Sequence, residues 1–121
     1  MKLNFFEEPT QYYFVKGMDE YDRIPFNALS ISMDQFIKMS HLSLDYIKTD
    51  VDGAEQDMIS GMSGTVRNQK LKSVVVDVSS KSEPAITEFF EKAGFKIKFE
   101  RRFDGEEIIY KNIIFTRNTR N

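Results

Sequence analysis

An acidic turn at residues 50–55 (DVDGAE) carries the residue types of this 121-residue chain that could do chemistry. A predicted strand at residues 44–50 leads into it, and a predicted helix starts near Ala54. In open α/β sheets, ligands bind at the carboxyl ends of the strands, which is where this turn would lie. The spacing therefore places Asp50 and Asp52 where a substrate or cofactor could meet them.

Two interpretations of the turn, a helix cap and a calcium loop, involve no catalysis. In the first, Asp52 caps the helix and Glu55 returns a hydrogen bond to its backbone, a D-x-x-E form of the capping box. In the second, the turn is a calcium loop with Gly53 at the sixth position. The first and last positions would then be Lys48 and Ile59. An EF-hand needs an oxygen ligand and a bidentate Glu there, so the spacing excludes this loop.

A third interpretation is phosphoryl transfer. A strand ending in D-x-D-G resembles the nucleophile motif of haloacid-dehalogenase-like phosphatases, in which Asp50 would attack phosphorus and Asp52 would shuttle the proton. Ala54 stands where that motif has Thr, and no later acidic pair matches the magnesium motif. This alternative is therefore the weaker one.

Periodicity and capping residues predict the elements that position the turn. Ser32 and Gln35 form a capping-box pattern before a short helix at residues 33–39. Asp104 and the glycine after it predict a hairpin turn. The remaining predictions are a strand at 2–6, a loop at 11–23, an extended segment at 24–31, a helix from Ala54 that ends near Gly61, a strand at 73–80 covered on both faces, a helix from Pro84 to Gly94, a half-exposed strand from Phe95 and a final strand at 108–115. This order predicts an α/β fold with a mixed sheet.

Composition excludes several classes of function. The chain is 40% hydrophobic and 30% charged, with a formal net charge of −2, so neither nucleic acid nor an anionic membrane is an expected partner. It contains no Cys, which excludes disulfides, thiolate metal sites and a thiol nucleophile. The apolar runs are too short to span a bilayer and no signal peptide opens the chain, so we expect a cytoplasmic protein.

Several motifs in one continuous order resemble the C-terminal portion of FkbM-family S-adenosylmethionine (SAM)-dependent methyltransferases. The similarity covers about residues 28–118. It includes LDYIKTDVDGAE at 44–55, close to the family's “iDflKiDvEGaE”, and NIIFTR at 112–117, close to its closing “Nyif.r”. Further matching segments lie at 28–37, 58–61, 74–80 and 86–95.

The resemblance implies the C-terminal half of a Rossmann-like class I methyltransferase sheet. Residues 44–50 would be its fourth strand, 73–79 its fifth, and 95–115 its terminal antiparallel hairpin. SAM would lie across the carboxyl ends of the strands. The implied reaction is methyl transfer to a hydroxyl oxygen of a small molecule or sugar.

The resemblance also assigns roles to individual residues. Asp50 is the first candidate for catalysis and for contacts to the cofactor or the acceptor, and Val51 would pass its backbone close to the cofactor. Asp52 and Asp77 are candidates for substrate binding. His41 is the single imidazole of the chain and a weaker candidate for the base. No metal site is expected.

The glycine-rich turn that would hold SAM is not found in this sequence. The glycines stand at 17, 53, 61, 64, 94 and 105, and none forms a G-x-G after an apolar strand. We therefore expect residues 1–121 to be one partial domain, with residues 1–23 poorly assigned, that is inactive alone. The strand at 44–50 would be an exposed edge that pairs with a second copy or with a missing N-terminal segment. A non-catalytic interaction module is the alternative.

Overall fold

The computed structural model divides the chain into two compact units, Met1–Ile31 and Ser32–Asn121. The residues that it describes are 4–5, 11–13, 24–26, 29–51, 53–104 and 109–118.

The first unit contains four short strands in two antiparallel pairs. They are β1 (Asn4–Phe5), which pairs with β4 (Leu29–Ser30), and β2 (Gln11–Tyr13), which pairs with β3 (Ile24–Phe26). The strand predicted at 2–6 and the extended segment at 24–31 are confirmed where they are described. The loop predicted at 11–23 is wrong at β2, because two strand-favouring tyrosines there pair with β3.

The second unit is built on a four-stranded mixed sheet. Its strands are β5 (Tyr46–Thr49), β6 (Ser73–Ser79), β7 (Lys96–Asp104) and β8 (Ile109–Thr116), in the order β5-β6-β8-β7. β5 and β6 are parallel, whereas β8 runs antiparallel to both of its neighbours. The predicted α/β class with a mixed sheet and a terminal antiparallel pair is thus confirmed.

Three helices accompany this sheet: α1 (Met33–Ser40), α2 (Glu55–Ser60) and α3 (Glu83–Lys92). A 3₁₀ turn, Thr65–Arg67, follows α2. None of the helices in the described part of the chain is long and apolar enough to cross a bilayer.

Strand β6 shows which face of the sheet is the core. Val74, Val76 and Val78 are buried, whereas Val75 and Asp77 between them are half-buried. The buried valines join a core with side chains from the helical segments and from β8: Met62, Val66, Ile86, Phe90, Ile113 and Phe115. The prediction that β6 is covered on both faces is therefore wrong for the second face, which is only half-covered and available to line a site.

The predicted ends of α1 and α3 are confirmed. Ser32 Oγ accepts from the backbone N–H of Gln35 at 3.1 Å, and the Gln35 side chain accepts from the backbone of Ser32 at 3.3 Å. Pro84 lies in the first turn of α3. Gly94 just beyond that helix has φ +93°, which glycine adopts without steric penalty.

The start of α2 differs from the prediction. Ala54 is its N-cap residue, and none of the described side chains caps the helix. The capping box of Asp52 with Glu55 is therefore wrong, because the helix begins two residues later than that motif requires.

Strand β7 is more exposed than its alternating sequence predicts. Phe95 before the strand is buried, but Ile97 is 38% and Phe99 53% exposed. β7 is an outer strand of the sheet, and its pairing with β8 shifts between Ile97 and Phe99, so its apolar side chains do not all stay on the core face. Asp104 pairs with Ile109, so the predicted hairpin is present, although its turn at 105–108 lies outside the described residues.

Candidate functional site

A cavity of about 250 Å³ lies where the parallel strands β5 and β6 end. Asp50 follows β5 directly, and Asp77 lies near the end of β6. The hairpin of β7 and β8 closes the opposite wall. The residues that line the cavity are Asp50, Val51, Glu55, Asp77, Phe103, Tyr110, Lys111 and Asn112.

Asp77 is oriented by the neighbouring strand. Asn112 on β8 lies directly opposite it in the antiparallel pair. The side-chain amide Nδ2 of Asn112 donates a hydrogen bond to Oδ1 of Asp77. Because both residues are carried by paired strands, this bond sets the orientation of the carboxyl group before any ligand arrives.

The environment of Asp77 favours its protonated form. Burial raises the pKa of Asp77 above its usual value, and a side-chain hydrogen bond with Asp50 and the negative charge of Asp50 raise it further. The positive charge of Lys48 lowers this pKa and the charge of Glu55 raises it, with burial the largest cause. Asp50 and Asp77 thus form an interacting pair of carboxyl groups at the ends of β5 and β6.

Glu55 adds a third carboxylate to the cavity wall. It is the first residue of α2 and only 7% exposed. Within the described part of the chain, its side chain has no hydrogen-bond or ion-pair partner. It also lines an adjoining cavity of about 370 Å³, together with Ser79, Lys81 and Tyr110 among others.

The cation at the cavity wall, Lys111, is already paired. Its ammonium lies 2.8 Å from a carboxylate oxygen of Glu83 and 3.7 Å from one of Glu100. The hydrogen bond with Glu83 is the largest cause that raises the pKa of Lys111. This lysine therefore neutralises its own neighbours rather than the carboxylates at the end of β5.

The structure brings together three of the five residues proposed from sequence: Asp50, Val51 and Asp77. His41 is not among the residues that line the cavity, and instead ends α1 as an exposed residue with φ 57°. Asp52 lies outside the described residues. The roles of all five stay predictions.

The β7–β8 hairpin contributes side chains to the cavity that the sequence did not predict there. Phe103, Tyr110 and Asn112 reach the cavity only because β8 folds back beside β6. One signal was available, because Asn112 opens the closing motif of the resemblance. That Asn112 pairs with Asp77 could not be predicted without the strand register.

No group of three or more His, Cys, Asp or Glu within the described ranges is arranged to hold a metal ion. Two of the described glycines pack against α1 and are not open to a cofactor. A Cβ at Gly61 would lie 2.8 Å from Ser32, and one at Gly64 would lie 3.3 Å from the Asp34 carboxylate. The small size of these two glycines therefore allows α1 to pack closely against them. Asp50 and Val51 line the cavity at the end of β5, and their contacts to a cofactor stay a prediction.

Comparisons with known proteins extend the resemblance. A search of curated proteins found no match, and a search of solved structures found none. The family model described as the methyltransferase FkbM domain matches residues 4–97. The match begins before Ala28, where the sequence analysis placed the start of the similarity, and it ends before β8. It covers more than half of the chain and includes the acidic turn, and the chain therefore belongs to the FkbM methyltransferase domain family.

Proposed function

We propose that this chain carries the acceptor side of a SAM-dependent methyltransferase that acts on a hydroxyl oxygen of a small molecule or sugar. The family match over residues 4–97 is the observation that carries this proposal. It favours methyl transfer over the phosphatase interpretation of the same acidic turn.

The sheet topology supports the proposal. In the Rossmann-like fold implied by the resemblance, the fourth and fifth strands are parallel neighbours and an antiparallel hairpin ends the sheet. β5 and β6 are parallel neighbours, and β7 and β8 form the hairpin. The candidate site lies at the carboxyl ends of the parallel strands, where such sheets bind ligands.

When bound, SAM supplies a methyl group on a sulfonium. The role of this chain is to hold the acceptor and to remove the proton of its hydroxyl group. Asp50 is exposed at the end of β5 and is the proposed proton acceptor from the acceptor hydroxyl. Asp77, held by Asn112, accepts a hydrogen bond from the acceptor and keeps it oriented toward Asp50.

We further propose that this chain binds SAM weakly by itself, because Asp50 and Val51 supply only part of a cofactor site. Titration with SAM while the backbone amides are followed by NMR tests this. We expect weak, saturable shifts that centre on residues 50–51 and are lost in Asp50→Asn. Asp45→Asn is the matched control, since Asp45 is an exposed acid just before the same strand. Shifts centred elsewhere, or none at the end of β5, would contradict the assignment.

The proposed partner surface is the free edge of the sheet. Within the described part of the chain, β5 is one of the two outer strands of the four-stranded sheet, and Tyr46 on it is 70% exposed. Unpaired N–H and C=O groups on an edge strand are a template for another strand. We propose that a second copy or an N-terminal segment pairs with this edge.

A further inference from the structure

The cavity at the ends of β5 and β6 has an excess of negative charge. Asp50, Glu55 and Asp77 line it. Lys111 is the lining residue with positive charge, and it is paired with Glu83 at 2.8 Å. A ligand that carries positive charge would relieve the repulsion among these carboxylates, whereas an anionic ligand would increase it.

Glu55 is the least exposed of the three acids that line the cavity. Glu55 is only 7% exposed, yet no described residue donates a hydrogen bond to its carboxylate. Because Glu55 lines the cavity, a ligand that enters it can supply the missing donor.

The aromatic wall of the cavity fits the same chemistry. Phe103 and Tyr110 lie directly opposite each other on β7 and β8, and both line the cavity while 38% and 41% exposed. The Arg101 guanidinium already lies over the Phe103 ring, 4.8 Å from its centroid. Aromatic faces attract organic cations, and here they stand beside carboxylates that can accept hydrogen bonds from an ammonium group.

We propose that this cavity binds an acceptor that carries a protonated amine beside its hydroxyl groups, such as an amino sugar or another amino alcohol. The inference rests on the proposed methyltransferase function and names the substrate class of the same site. The ammonium donates to Glu55 and to the Asp50–Asp77 pair, and the carbon skeleton packs against Tyr110 and Phe103. A neighbouring hydroxyl is then held at Asp50.

Binding of glucosamine and of glucose to the full chain tests the proposal without SAM. The two probes differ by an ammonium in place of one hydroxyl. At about pH 6, where the amine is protonated, we expect glucosamine to bind about tenfold more tightly, because charge-assisted hydrogen bonds are stronger than neutral ones. NMR shifts of the amides at residues 50, 51, 77 and 112 measure both affinities. Glucose 6-phosphate, an anionic probe, should bind more weakly than glucose.

Three variants locate the effect. Glu55→Gln and Asp77→Asn should each remove the preference for glucosamine, and Asp45→Asn should keep it. Equal affinity for the two sugars would overturn the proposal, as would a preference that survives both site variants. Displacement of glucosamine by S-adenosylhomocysteine would assign the cation site to the cofactor and would overturn it too. The SAM titration is separate, so the cation site and the methyltransferase assignment can fail independently.

Discussion

Asp77 and Asn112 lie opposite each other on β6 and β8, and the amide of Asn112 donates to Oδ1 of Asp77. This bond joins the parallel part of the sheet, which carries the acidic turn, to the terminal hairpin. The hairpin is thereby part of the candidate site and not only of the sheet. Since Asp77 lies on the half-covered face of β6, its orientation depends on a strand that comes 35 residues later in the chain.

Replacing Asn112 tests this relationship. Asn112→Ala should raise the pKa of Asp77 further, because the ionised carboxylate loses a hydrogen-bond donor, and should lower the free energy of unfolding by about 1 kcal/mol. The pH titration of the Asp77 side-chain carbon by NMR and urea denaturation measure the two effects. Asn118→Ala, at an exposed position after β8, is the control. An unchanged Asp77 titration would show that the bond does not bear on the site.

Replacing Asp50 tests the carboxyl pair. Asp50→Asn removes a negative charge that raises the pKa of Asp77, so this pKa should fall toward its ordinary value. In the wild-type chain, folded Asp77 holds its proton more tightly than in the unfolded chain. The free energy of unfolding should therefore decrease as pH rises from the unfolded pKa of 3.8 through the higher folded value, and Asp50→Asn should weaken this decrease. Asp45→Asn should leave the Asp77 titration unchanged.

The contribution of Asp34 to the free energy of unfolding should depend on pH in the opposite sense. Burial would raise the pKa of Asp34, but hydrogen bonds from Thr65 and Gly64 outweigh it and lower the pKa. Its carboxylate accepts from the Thr65 hydroxyl at 2.6 Å and from the backbone N–H groups of Thr65 and Gly64 at 2.7 and 3.0 Å. Its stabilisation is therefore complete above the unfolded pKa of 3.8 and is lost as pH falls through the lower folded pKa.

Asp34→Asn should remove this acid-sensitive stabilisation. We expect a loss of about 1–2 kcal/mol at neutral pH and a smaller loss in acid. Denaturation at several pH values measures the difference between the variant and the wild-type chain. Asp57→Asn, at an exposed position on α2, is the control. A loss that stays constant with pH would contradict the interpretation.

The stability of the second unit should depend on the planar guanidinium of Arg117 and not on its charge alone. Its guanidinium donates to the backbone oxygens of Asn68, Val66, Leu71 and Ala93 at 2.6, 2.8, 2.9 and 3.2 Å. A lysine keeps the charge but cannot reach these oxygens with the same planar set of donors. Arg117→Lys should therefore destabilise the second unit by about 3 kcal/mol.

Urea denaturation measures the Arg117 effect. Arg102→Lys is the matched control, since Arg102 is exposed and its side chain bonds only to that of Asp104 among the described residues. We expect a change within about 0.5 kcal/mol there. Equal effects at the two positions would show that the backbone oxygens around Arg117 contribute little.

The edge of β5 predicts self-association. The chain should form dimers or larger species at micromolar concentration in size-exclusion chromatography with light scattering. Tyr46→Glu adds charge to the edge strand and should shift the chain toward monomer. Phe36→Glu changes an exposed aromatic on α1 and should not. A wild-type monomer at these concentrations would contradict the proposed pairing.

Elements whose signals are local could be predicted from the sequence alone. The capping pair of Ser32 and Gln35, the valines of β6 and the glycine after α3 each act over a few residues, and so periodicity located them. The family also followed from motifs that are continuous in the chain. The match of the family model over residues 4–97 confirms it.

The set of residues that share the candidate site depends on long-range strand pairing. Asn112, Tyr110 and Phe103 meet the acids of β5 and β6 through a strand register that no local pattern encodes. Pairing between strands brings distant residues together through backbone hydrogen bonds, which every residue type can form, and a shift of one residue would turn Asn112 to the other face. Glu55 shows the same limit, because its burial depends on a helix that begins later than the acidic turn predicts.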